Sequence, residues 1–90
     1  MAQIAVTPKS GNHYLVTVSQ GGSSTTHQVT VTPDHLARYG DAGTSPEMLL
    51  HASFGFLLEH EPKESILSKF DLSVIERYFP EFPRQIRKRL

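Results

Sequence analysis

The hydrophobic period of this chain changes at Thr32-Pro33, and that change constrains its fold more than any other feature. Upstream, apolar residues recur at every second position; downstream they recur at every third or fourth. The first period suits strands and the second suits helices. Ninety residues suffice for one domain, which must bury about 60–65% of its extended surface. The expected fold is therefore α+β. A three-stranded antiparallel meander over residues 1–32 leads into a mainly helical half over 33–90, with the longest helix packed on the sheet.

Within the first third, Ile4 to Thr7 is short and β-branched, and Lys9-Ser10-Gly11-Asn12 supplies a turn. His13 to Ser19 alternates, with Tyr14, Val16 and Val18 on one face and Leu15 and Thr17 on the other. Gln20 to Thr25 reads as a flexible loop, and Thr26 to Thr32 as a third strand carrying Val29 and Val31. Pairing Val18 with His27, Val16 with Val29 and Tyr14 with Val31 puts every large apolar side chain except Leu15 on one face. That register is expected, because a one-residue slip would oppose valines with threonines.

The helical half is punctuated by hydroxyls and prolines. Thr32 can cap, with Pro33 at the first helical position and Gly40 as the stop. Ser45-Pro46-Glu47 repeats this grammar and opens a helix predicted to run to about Glu61, where Pro62 stops it. Glu47, His51, Gly55 and Glu59 form its polar ridge; Leu50, Phe54, Leu57 and Leu58, flanked by Leu49, Ala52 and Phe56, form a broad buried surface. Residues 62–70 suggest a short helix with Ile66, Leu67 and Phe70 inward. Asp71 or Ser73 would cap the next, Ser73 having capping-box spacing to Glu76. Pro83 starts a last turn and a half, with Ile86 and Leu90 on one side.

Several function classes are excluded. With no Cys, a disulfide framework, a thiolate zinc site and a cysteine nucleophile are all ruled out. No apolar run approaches the ~18 residues of a membrane span. Met1-Ala2-Gln3 lacks the opening of a secretion signal, so a cytoplasmic location is expected. No GxSxG or HExxH occurs, and Lys9-Ser10 lacks the glycines of a phosphate loop. His13 and His27 fall on opposite faces of the hairpin, and Glu59, His60 and Glu61 diverge around a helix. No metal, cofactor or catalytic residue is therefore expected. Residues 65–79 fail the helix-turn-helix pattern at Leu67, Asp71 and Arg77, which reads as an ordinary helical corner.

Charge is balanced overall at nine of each sign, yet Arg84, Arg87, Lys88 and Arg89 crowd into the last seven residues and leave the rest of the chain net acidic. Just upstream, Tyr78, Phe79 and Phe82 are a denser apolar cluster than a chain end requires. They either cover core or form a patch for a partner.

Two segments resemble known families. Gly43-Thr44-Ser45-Pro46-Glu47-Met48-Leu49-Leu50 resembles the start of the central helix in OsmC-type peroxide reductases. That family works through cysteines, so its activity does not carry over. Phe54 to Phe82, through Pro62-Lys63-Glu64-Ser65-Ile66-Leu67 and Phe70-Asp71-Leu72-Ser73-Val74-Ile75-Glu76-Arg77-Tyr78-Phe79-Pro80-Glu81-Phe82, is similar to a family of small uncharacterised prokaryotic proteins. This stretch is about a third of the chain; it implies a shared fold and carries over no site residue.

The leading expectation is a non-enzymatic interaction module that binds a protein partner through Tyr78, Phe79 and Phe82 or through a strand edge. The alternative is a phosphate-directed nucleic-acid binder using Arg84, Arg87, Lys88 and Arg89. A third class, an enzyme with a dispersed site, requires several of His13, His27, His35, His51 and His60 in one pocket.

Overall fold

Tight glycine turns set the register of the sheet. The computed structural model describes residues 2–90. Its first three strands are β1 (Gln3–Pro8), β2 (His13–Gln20) and β3 (Ser23–Thr30). Gly21 and Gly22 both have positive φ, 63° and 81°, the geometry of a two-residue hairpin turn that matches strand twist. The expected flexible loop is thus a tight turn, and residues 23–25 belong to β3. Val16 lies opposite His27, Tyr14 opposite Val29 and Val18 opposite Thr25, two residues away from the expected pairing. A shift of two preserves the faces. Val16, Val18, Val29 and Val31 are therefore interior as expected, while Thr17 and Thr26 lie toward the other side.

The expected meander of three strands is corrected by a fourth. Residues 62–70 do not form a helix. A single 3-10 turn, Lys63–Ser65, gives way to extended chain and then to β4 (Lys69–Asp71), which pairs in parallel with β3. The sheet order is β1-β2-β3-β4. Gln28 N–H donates to the Ser68 carbonyl at 2.7 Å and Leu72 N–H to the Thr30 carbonyl at 3.0 Å. Phe70 thereby joins the buried face beside Phe54, 6.1 Å between ring centres. Leu67, expected inward, is 47% exposed.

Four helices complete the α+β fold: α1 (Pro33–Tyr39), α2 (Pro46–His60), α3 (Val74–Tyr78) and α4 (Phe82–Arg87). The caps of the first two are those expected. Thr32 Oγ1 accepts from His35 N–H, and Ser45 Oγ from Met48 N–H. Gly40 ends α1 with φ −116°, extended rather than left-handed. Its missing side chain matters because a Cβ there would meet Thr44 Cβ at 2.8 Å. The proposed Ser73–Glu76 capping box does not form: Ser73 Oγ donates to Asp71, and Glu76 is engaged by Arg38 and Tyr39.

The core lies between the valine face of the sheet and α2, whose Leu49, Leu50, Phe54, Phe56 and Leu57 are buried. Burying each large side chain stabilises the fold by roughly 1.5–3 kcal/mol. From α4, Ile86 turns inward as expected, whereas Leu90 stays 37% exposed. No helix among the described residues is long and apolar enough to cross a membrane.

Candidate functional site

An apolar cleft of about 360 Å³ opens between the end of α2, the extended segment before β4, and α3. Its construction starts at Pro62. The helix ends at Glu61, whose N–H caps back to the Leu57 carbonyl, because the residue before a proline favours extended backbone. After the 3-10 turn the chain runs extended, so alternate side chains point in opposite directions. Ile66 is buried and Leu67 is turned outward. Phe70 and Ile75 floor the cleft, Val74 and Phe79 wall it, and Tyr78, 68% exposed, stands at its rim. Glu61 is the one charged residue of the lining.

His27 holds the Leu67 side of this cleft. Nδ1 lies 2.7 Å from the Leu67 carbonyl and Nε2 lies 2.8 Å from Thr25 Oγ1. A carbonyl can only accept, so Nδ1 donates to it, and the Thr25 hydroxyl donates to Nε2. The ring is 2% exposed and packs at a tilt against Phe54, 5.3 Å between ring centres. An imidazole in the core thus fixes a surface segment forty residues away.

The sequence-predicted residues divide. Tyr78 and Phe79 belong to the cleft. Phe82 does not: it is fully buried, 5.1 Å from the Tyr39 ring and 5.5 Å from the Phe56 ring, and covers core. Phe79 also meets Phe56 edge-on at 5.5 Å, with the His60 ring packed at a tilt against both. Ile66, Leu67, Phe70 and Val74 were not predicted as site residues, because their convergence depends on β4, which is too short to leave a periodic signal.

The basic tip is partly committed to intramolecular contacts. Arg87 donates to the Arg38 carbonyl at the end of α1. Arg89 pairs with Glu59 at 2.6 Å and its guanidinium carbon lies 5.7 Å from the Phe56 ring centre. Arg84 and Lys88 are exposed and form no ion pair among the described residues. The histidines are dispersed: His13 on β2 and His51 and His60, nine residues apart on α2, are exposed, and His27 and His35 are buried in different places. None of the five lines the cleft, and no three His, Asp or Glu gather into a metal-holding group among the described residues.

One trio superficially resembles a hydrolytic triad. Asp71 Oδ1 receives Ser73 Oγ at 2.6 Å, Ser73 N–H at 2.9 Å and His35 Nε2 at 3.0 Å. In a triad the histidine stands between the hydroxyl and the acid. Here the carboxylate is central, and the other nitrogen of His35 accepts from Thr32 N–H at 3.0 Å, so the imidazole does not reach the serine. Burial works against ionisation of Asp71, but the Ser73 hydroxyl and N–H, with His35, outweigh it and hold the carboxyl below its ordinary value. The cluster locks α1 to β4. A second, open depression of about 370 Å³ beside Arg38, Tyr39, Ser73, Glu76 and Arg77 has its carboxylate already bridged by Arg38 at 2.7 Å.

No protein-family model, curated protein or solved structure matches this chain. Its geometry is accordingly the ground on which a function can be argued.

Proposed function

We propose that this chain is a non-enzymatic, cytoplasmic interaction module, whose cleft takes a bulky apolar side chain of a protein partner and whose Glu61 pairs with an adjacent cationic group. The observation that carries this reading is the cleft itself: a concave apolar site with an exposed tyrosine at its rim and one acid in its lining. Sites of this kind commonly anchor a peptide, with an aromatic residue providing much of the contact energy. The alternative phosphate-directed reading is less supported, since two of its four cations, Arg87 and Arg89, already hold intramolecular partners.

Selection of phage-displayed peptides on the intact chain tests the proposal. Enriched peptides should pair a large apolar residue with a nearby Lys or Arg. Leu67→Asp and Tyr78→Ala alter exposed side chains, leave the fold intact and should each weaken binding by about tenfold or more. Enriched peptides that bind the Leu67→Asp protein as well as the unaltered chain would overturn it, as would a selection that enriches none.

A further inference from the structure

The two edges of the sheet are built differently. β4 is three residues long and carries Lys69 and Asp71, both features that discourage pairing with another chain. β1 has six residues, Gln3-Ile4-Ala5-Val6-Thr7-Pro8, and no charged side chain. Such an edge is a template for strand addition.

Hydrogen-bond parity shows which groups the β1 edge offers. Lys9 N–H donates to the His13 carbonyl at 2.9 Å. Antiparallel ladders alternate, so Thr7, Ala5 and Gln3 direct their backbone groups toward Leu15, Thr17 and Ser19 of β2. The other edge of β2 agrees: Val31 N–H donates to Asn12, which sends the even-numbered residues of β2 toward β3. Ile4, Val6 and Pro8 therefore direct their backbone groups away from the sheet. No loop, helix or side chain among the described residues bonds to those of Ile4 or Val6. The one missing donor, that of Pro8, falls at the end of the strand.

We propose that β1 pairs antiparallel with β1 of a second copy of this chain about a two-fold axis through Ala5, which joins the two sheets into one. In this register Ile4 faces Val6 of the second copy and Val6 faces its Ile4. Each pair exchanges reciprocal N–H···O bonds and satisfies every outward backbone group of both residues. The register is self-complementary, as a two-fold contact requires. Ile4 and Val6 are half-buried at the margin of the core, so the pairing extends the apolar face across the seam. The two Ala5 side chains meet on the opposite face as a non-hydrogen-bonded pair, where backbones approach to about 4.5 Å between Cα atoms and small residues fit. Shifting the axis to Val6 would set Pro8 against Ile4, where its missing donor breaks the ladder. This inference is independent of the cleft.

Sedimentation and cysteine cross-linking of the full chain test it. Across micromolar to millimolar concentration the mass should rise toward twice the 10.1 kDa of the chain. Ala5→Lys changes an exposed side chain and places two like charges across the axis. It should hold the protein at the single-chain mass with an unchanged circular dichroism spectrum. The chain has no other thiol among the described residues, so Ala5→Cys should form a disulfide-linked dimer under mild oxidation. Thr7→Cys, whose copies would lie about 13 Å apart, should cross-link at least about tenfold more slowly, a margin far above that expected of random collision. A chain that stays at single mass at every concentration overturns the proposal. So does an Ala5→Lys protein that still doubles in mass, or a Thr7→Cys protein that cross-links as fast as Ala5→Cys.

Discussion

The Tyr39 hydroxyl donates to Oε1 of Glu76 at 2.8 Å, joining residues thirty-seven positions apart. Arg38 grips the same carboxylate from outside, Nε and Nη2 contacting Oε1 at 3.1 and 3.0 Å and Nη2 reaching Oε2 at 2.7 Å. One carboxylate thus fastens the end of α1 to α3, which walls the cleft. The consequences for the carboxylate and the phenol differ. The guanidinium of Arg38, then the hydroxyl of Tyr39, hold Glu76 below the ordinary carboxylate range. Burial, with Glu76 adding to it, pushes the Tyr39 hydroxyl up.

Tyr39 is fully buried, so removing its acceptor should cost more than removing its hydroxyl. Tyr39→Phe deletes one hydrogen bond and should destabilise by about 1 kcal/mol. Glu76→Ala leaves a buried hydroxyl unpartnered and should cost about 1–3 kcal/mol. Urea unfolding of both variants measures the difference, and equal or inverted losses would contradict the role assigned to Glu76.

Stability should fall in acid. A carboxyl whose pKa is lower in the folded chain contributes stability above its unfolded value, and that contribution disappears as pH falls through the folded value. Glu76, Asp71 and Glu59 are all lowered, Glu59 chiefly by Arg89. The thermal midpoint should therefore decline as pH passes down through and below the ordinary carboxylate range. Glu76→Gln, which can still accept from Tyr39, should make that decline shallower. A midpoint that rises on acidification would reverse the sign argued here.

His27→Leu retains apolar volume but deletes the bonds to the Leu67 carbonyl and the Thr25 hydroxyl. A loss of about 1–3 kcal/mol is expected on unfolding. Hydrogen exchange gives the sharper readout. The Gln28 N–H, bonded to Ser68 next to Leu67, should lose protection before Leu72, which bonds to Thr30 at the other end of β4. Unchanged exchange at Gln28 would show that the histidine does not anchor this segment.

Two glycines should respond with opposite signs. Gly55 lies in the middle of α2, and a Cβ there would meet only Arg89 Nη1 at 3.8 Å, an ordinary contact. Gly55→Ala should stabilise by about 0.5–1 kcal/mol, as glycine costs that much in a helix. Gly40→Ala should destabilise, because its Cβ would fall 2.8 Å from Thr44 Cβ. Urea midpoints that move in the same direction for both would refute the packing described at one of them.

What could be read without coordinates was local. The period change at Thr32-Pro33, the caps at Thr32 and Ser45 and the stop at Pro62 depend on neighbours within one helical turn, and the valine faces of β2 and β3 depend on alternation alone. The chain's own pattern therefore determined the α+β class, the long helix and which side of the hairpin is interior. The pairing register is also local in origin: a two-residue slip leaves the faces unchanged, and the Gly21-Gly22 dipeptide, a two-residue turn rather than the expected loop, sets the choice. Only the tertiary structure placed Lys69–Asp71 as a strand, since three residues hold that form through β3 rather than through their own preference. The packing of Phe82 on Phe56 and Tyr39, the bond from His27 to Leu67 and the bond from Tyr39 to Glu76 join residues 26 to 43 positions apart, and the cleft gathers residues up to 22 apart. Contacts at such separations arise from packing as a whole, and no local spacing encodes them.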